Sequence, residues 1–101
     1  MSALVHIGVA GARGRMGRAV QEALNGREDT LIAVRFDRGE EPDLASCDVV
    51  IDFTTPEASV ALAEKAAGRG AVALVIGTTG LSQDQTRRID EASQRIAIVR
   101  S

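Results

Sequence analysis

Gly11, Gly14 and Gly17 fall within Val9-Ala10-Gly11-Ala12-Arg13-Gly14-Arg15-Met16-Gly17, between the end of an apolar run and the start of a helical pattern. No other feature restricts the fold as much. A strand that enters a helix through residues without side chains turns sharply, admits a phosphate against its main chain and leaves the first helical N–H groups aimed at the anion. Glycine also serves ordinary tight turns, so the triplet alone leaves a nucleotide site and a structural turn both open.

The periodicity around the triplet sets its context. Leu4 to Ala10 is a short, nearly continuous apolar segment, as expected of a strand buried on both faces of a parallel sheet. From Arg15, the series Met16, Ala19, Val20, Ala23 and Leu24 marks one stripe of an amphipathic helix, with Gly26 as its stop signal. Leu31 to Phe36 is a second strand ending at Asp37. Arg38 to Ser46 is polar, carries Gly39 and Pro42, and reads as a loop with at most one helical turn. Val49 to Phe53 is a third strand, interrupted by a polar Asp52 that reads as buried and hydrogen-bonded.

Thr55-Pro56-Glu57 then predicts a helix over about 56 to 68, with a hydroxyl cap, a proline at the first helical position and a carboxylate near the positive end of the dipole. Ala71 to Ile76 is the fourth strand, followed by the loop Gly77-Thr78-Thr79-Gly80. Ser82 and Gln85 stand at capping-box spacing ahead of a helix over about 83 to 94, and Ile96 to Val99 is the fifth strand. Strands alternating with helices, without a hairpin signal, predict an α/β fold: a Rossmann-like, doubly wound parallel sheet of about five strands in the order 2-1-3-4-5, helices on both faces. The loops 11–17, 37–39, 54–56 and 77–80 then share one rim.

Composition narrows the function classes. At 101 residues the chain makes one domain, and 45% hydrophobic with 26% charged residues is ordinary globular usage. A net charge of −2 offers no basic footprint for nucleic acid. The apolar run at Leu4 is too short to span a bilayer and lacks a basic flank, so neither a membrane span nor a signal peptide is expected, and the predicted compartment is the cytoplasm. Cys47, the single cysteine, has no disulfide or metal partner at suitable spacing and reads as a small packing residue.

Asp37 stands twenty positions after Gly17 at the end of the second strand. An acid at that place in a βαβ unit accepts hydrogen bonds from the adenosine ribose hydroxyls of a dinucleotide. Arg38 beside it offers a guanidinium for a 2′-phosphate, so both NADH and NADPH are candidate cofactors. Arg13 and Arg15 flank the middle glycine and place charge near a pyrophosphate.

The segments Gly11-Ala12-Arg13-Gly14-Arg15-Met16-Gly17, Asp37-Arg38, Asp52-Phe53-Thr54-Thr55-Pro56-Glu57 and Gly77-Thr78-Thr79-Gly80, in this order, resemble the N-terminal domain of the dihydrodipicolinate reductases over nearly the whole chain. The resemblance implies an NAD(P)H-dependent oxidoreductase of lysine and diaminopimelate biosynthesis that reduces a cyclic imine dicarboxylate, homo-oligomeric at full length. Carried over by motif, Gly11, Ala12, Gly14, Arg15, Met16 and Gly17 hold the pyrophosphate, and Asp37 and Arg38 meet the ribose. Phe53 and Thr54 pack beside the cofactor, and Gly77, Thr78 and Thr79 line its nicotinamide end. Phe53 is equally suited to the core.

Two departures limit that reading. Only Gly39 to Asp48 separate the second and third strands, where the family usually carries a longer stretch. The family's substrate domain, with its His-His motif, lysine and Gly-Thr segment, has no counterpart among residues 1–101, so no catalytic residue and no metal ligand is assigned here. His6 lies at the opposite end of the first strand from the rim. A stand-alone NAD(P)-responsive binding module, using the terminal strand as an association edge, is the alternative function. A domain for S-adenosylmethionine or coenzyme A is a third.

Overall fold

The computed structural model describes residues 4–37 and 39–100. Five strands, β1 (Val5–Ala10), β2 (Thr30–Phe36), β3 (Val49–Asp52), β4 (Ala73–Ile76) and β5 (Ile98–Arg100), form one sheet in the order β2-β1-β3-β4-β5, all parallel. Helices α1 (Arg15–Asn25), α2 (Pro56–Arg69) and α3 (Gln83–Ala92) connect them, and a short 3-10 turn at Leu44–Ser46 lies between β2 and β3. Right-handed crossovers explain the layering: the chain moves one way from β1 to β2 and the other way from β3 to β5, so its helices fall on opposite faces. The expected doubly wound topology is therefore the observed one.

The larger core joins Ala10, Val50, Leu74 and Ile76 of the sheet to Val60, Ala63 and Ala66 of α2 and to Ile89 and Ala92 of α3. Ala63 and Ala66 are fully buried, and their small side chains bring α2 close to the strands. On the other face Ile7, Val9 and Ala12 meet Val20 and Leu24 of α1, with Ile32 and Ile51 alongside. Cys47 is buried against β1, where a side chain on Gly8 would come within 2.8 Å of its sulfur. Burial pushes the thiol's pKa up, which suits the packing role read from the sequence.

Helix ends follow local chemistry. The Thr55 hydroxyl accepts from the Ala58 N–H, Pro56 opens α2 and Glu57 sits in its first turn. In α3 the Ser82 hydroxyl accepts from the Gln85 N–H at 3.1 Å while the Gln85 side chain accepts from the Ser82 N–H at 2.8 Å, a complete capping box.

Several sequence expectations need correction. Gly26 does end α1 as expected, but with right-handed geometry, φ −86°, so the left-handed cap that favours glycine is not used. β4 begins at Ala73 rather than Ala71, because Gly70 and Ala71 both take positive φ in the turn after α2. α3 ends at Ala92, and β5 begins at Ile98 rather than Ile96. The predicted α1 stripe is partly right: Val20 and Leu24 pack on the sheet as expected, but Met16, Ala19 and Ala23 are exposed and the buried Gly17 takes their place. Gly17 draws that contact line around the helix because the backbone of α1 presses directly on the turn before it.

Candidate functional site

All five strands run the same way, so the segments that follow β1, β2, β3 and β4 open onto one rim. Three glycines in the first of these do different work. Gly11 has φ +79°, and a Cβ there would lie 2.3 Å from the Phe53 carbonyl oxygen, so both conformation and close approach demand glycine. Gly17 is set by packing, since a Cβ would lie 2.0 Å from the Gly11 carbonyl oxygen. Gly14 differs from both. Its φ is −77°, and the nearest atom to an added Cβ is 3.4 Å away, an ordinary contact. Nothing inside the protein requires glycine at position 14.

The turn's donors divide just as sharply. Gly11 and Ala12 donate their N–H groups to the Phe36 carbonyl at 3.0 and 3.3 Å, and Gly14 donates to the Gly11 carbonyl. These amides hold the turn itself and point at no ligand. Among the described residues, no acceptor takes the N–H groups of Arg15, Met16 and Gly17, the first three of α1. Ala12, expected at the site, is buried with Ile7 and Val9 beneath it. Met16 and Arg15 stand exposed at the helix start.

Asp37 follows β2 and is tied to the glycine turn. Its carboxylate accepts from the Arg13 N–H at 3.1 Å and pairs with the Arg13 guanidinium at 3.4 Å, while Glu40 accepts from both the Arg13 guanidinium and the Asp37 N–H. Sequence reading placed Arg13 near the pyrophosphate; in the fold its side chain pairs with Asp37 and Glu40 instead. Glu40 was missed, and only its distance of three residues from Asp37 hinted at a turn. Arg38 lies outside the described residues. Asp37 also lines a cavity of about 230 Å³ with Phe36, Glu40, Thr54, Leu62 and Lys65, the last paired to Glu41 of the same lining.

Phe53 and the 77–80 loop complete the rim. A Cβ on Gly77 would lie 2.1 Å from the Phe53 ring, so the half-buried ring lies flush on the Gly77 backbone. Phe53 is thus a wedge between two rim loops rather than a member of either core cluster. Thr79 is exposed, while Thr78 is buried and its hydroxyl oxygen accepts from the Thr54 N–H at 3.0 Å. Asp52, fully buried, accepts from Thr54 and from Ser59, each at 2.6 Å. Burial raises its pKa, opposed by those hydrogen bonds. Its reading as buried and hydrogen-bonded holds. Ser59 went unnoticed, although a lone hydroxyl on the inward face of an alanine-rich helix, seven residues from a buried acid, is a usable signal.

A family model described as "Dihydrodipicolinate reductase, N-terminus" matches residues 5–101. The chain belongs to the dihydrodipicolinate reductase family. A 4-hydroxy-tetrahydrodipicolinate reductase of Caulobacter vibrioides is 57% identical over 110 aligned positions, covering 100% of this chain and 43% of that protein. One from Akkermansia muciniphila is 42% identical, covering 95% and 39% respectively. The chain thus spans less than half the length of these reductases. The first alignment has more positions than the chain has residues, so that relative carries insertions. A solved structure titled "Dipicolinate bound Dihydrodipicolinate reductase from Paenisporosarcina sp. TG-14" superposes with a TM-score of 0.68 over 89% of this chain and 43% of that one, at 21% identity, a likeness of fold.

Against this family frame, the rim gathers the glycine turn, Asp37, Phe53, Thr54, Gly77 and Thr79, while Ala12 and Thr78 support it from within. His6 is exposed at the far end of β1. Among the described residues no three metal-ligating side chains come together, and no helix is long and apolar enough to cross a membrane.

Proposed function

We propose that this chain is the dinucleotide-binding domain of a 4-hydroxy-tetrahydrodipicolinate reductase, holding the NADH or NADPH whose hydride reduces a cyclic imine dicarboxylate in lysine and diaminopimelate biosynthesis. The observation that carries this reading is Gly14. Internal sterics explain Gly11 and Gly17, but a Cβ at position 14 would meet nothing nearer than the Gly11 carbonyl oxygen at 3.4 Å, and the N–H groups of Arg15, Met16 and Gly17 that follow it have no acceptor among the described residues. Clear space beside three convergent donors fits a diphosphate.

The other groups fit the rest of the cofactor. Asp37, held in place by Arg13, accepts from the adenosine ribose hydroxyls, and the cavity beside Phe36 and Leu62 takes the adenine. Arg38 and Arg13 are the cations available to a 2′-phosphate. Gly77 and Thr79 border the nicotinamide, which supplies the hydride when bound. Phe53 keeps the two loops apart and excludes water between them. The partners of the substrate carboxylates and the donor of the proton to its nitrogen belong, on this reading, to the further length that the relatives carry. The cytoplasm is the compartment we assign to such an enzyme.

A fluorescence titration with NADH tests the proposal. Saturable enhancement is expected in the wild type, with affinity reduced at least about tenfold in Gly14→Val, whose added side chain crowds the start of α1, and with a melting temperature lowered by no more than a poorer N-cap costs, about 1 kcal/mol. No saturation up to millimolar NADH, or wild-type affinity in Gly14→Val, refutes it.

A further inference from the structure

The turn after β2 spends its donors on its own carboxylates. Glu40 Oε1 accepts from the Asp37 N–H at 2.8 Å and from the Arg13 guanidinium at 3.3 Å, and the Glu40 N–H returns to the Asp37 carbonyl at 3.1 Å. Asp37 Oδ2 accepts from the Arg13 N–H at 3.1 Å and pairs with its guanidinium at 3.4 Å. Asp37 Oδ1 meets no donor among the described residues, so one carboxylate oxygen stays open for a ribose hydroxyl. The backbone N–H groups of Arg13, Asp37 and Glu40 are all engaged, and none is left for an anion. The Arg13 side chain is 74% exposed, so its pairing holds it only weakly. The charge balance does not depend on that pairing, because Asp37 and Glu40 set two carboxylates against one guanidinium wherever Arg13 turns. Glu40 is tied by the Asp37 N–H and lines the same cavity as Asp37.

We propose that Glu40 is a specificity-determining residue that selects NADH over NADPH. This rests on the cofactor reading above, in which Asp37 meets the adenosine ribose. A ribose hydroxyl needs only the open Asp37 oxygen as its acceptor. A phosphate on the 2′ oxygen is instead set against Asp37 and beside Glu40, where the nearby amides are spent and Arg13 is already shared between two acids. Among the described residues Lys65 is the cation of the cavity lining, and it is paired with Glu41.

The test follows nicotinamide fluorescence on titration with NADH and with NADPH in the wild type, Glu40→Gln and Glu28→Gln. The amide oxygen in Glu40→Gln can still accept from the Asp37 N–H, so the turn is kept and one charge is lost. The wild type binds NADH at least about tenfold more tightly than NADPH, and Glu40→Gln strengthens NADPH by about fivefold to tenfold while leaving NADH within about twofold. Glu28→Gln makes the same charge change in the exposed turn before β2, at the end of the sheet away from the rim, and leaves the ratio as in the wild type. Arg38 is common to all three proteins, so the comparison isolates Glu40. A second readout needs no variant: added salt screens the repulsion and narrows the NADH preference of the wild type. A wild type that prefers NADPH, a ratio unmoved by Glu40→Gln or moved equally by Glu28→Gln, an equal change in both affinities, or a preference that widens with salt overturns the proposal. If NADH itself fails to bind the wild type, the cofactor reading falls and this one with it.

Discussion

Gly17→Ala sets two effects against each other, and the structure decides between them. Position 17 lies inside α1, where exchanging glycine for alanine improves helix propensity by up to about 1 kcal/mol. The new Cβ, however, would lie 2.0 Å from the Gly11 carbonyl oxygen, 2.7 Å from its carbon and 3.0 Å from Ala12 Cα. These are backbone atoms, so no side chain can rotate away; the first turn of α1 must lift off the β1 turn by about 1 Å. Overpacking of this kind costs about 1 to 3 kcal/mol, and a rigid obstacle puts it at the upper end. The net loss is then about 2 kcal/mol, a fall in melting temperature of roughly 8 to 16 °C for a domain of this size. Gly68→Ala is the matched control, because an added Cβ in that part of α2 meets nothing within 4 Å. It should gain a few tenths to about 1 kcal/mol from propensity alone. Urea denaturation of both variants and the wild type gives the comparison. Equal or greater stability in Gly17→Ala would refute the steric account.

Three further outcomes follow from particular contacts. Gly77→Ala would place a Cβ 2.1 Å from the Phe53 ring and should destabilise by about 1 to 3 kcal/mol, with partial rescue by Phe53→Leu in the same chain; strict additivity in the double-mutant cycle would show that the two do not touch. Removing the cap in Thr55→Ala should cost about 0.5 to 2 kcal/mol by denaturant midpoint, and no change would mean that Pro56 and Glu57 suffice. Asp52 is raised from 3.8 in the fold, so the native state holds its proton where the unfolded chain has lost it. Its contribution to stability is therefore greatest in acid and declines as pH climbs from the ordinary carboxylate value to the raised one. Asp52→Asn lacks this slope. The stability of the wild type relative to the variant should fall across that window, and a gap that widened with pH would contradict the burial argument.

How much of the site was legible in the chain depends on whether the cause was local. Asp52 announced itself as a carboxylate inside an apolar strand, and Thr55-Pro56-Glu57 and Ser82 with Gln85 as caps, because each signal acts within a few residues. Part of the α1 stripe, Met16, Ala19 and Ala23, was misread for the opposite reason, while Val20 and Leu24 pack as expected. Hydrophobic periodicity assigns glycine no weight, yet Gly17 makes the tightest contact of that helix and turns Met16 out to solvent. Glu40 and Ser59 carried local hints, three residues from Asp37 and seven from Asp52, but what makes them site residues are their contacts with Arg13 and Thr78, 27 and 19 positions away.

The sequence by itself determined the order of elements, the parallel sheet and its strand order, and a glycine turn opening a helix at the rim. These follow from period, capping chemistry and crossover handedness, all expressed along short stretches of chain. Only the tertiary structure decided which glycines of the turn are required by packing and which one is not, which amides are already spent on the Phe36 and Gly11 carbonyls, and how Thr54 and Ser59 close around Asp52 and Thr78. Those outcomes depend on how closely distant segments approach one another, and a difference of 1 Å there separates a structural glycine from one that leaves room for a ligand.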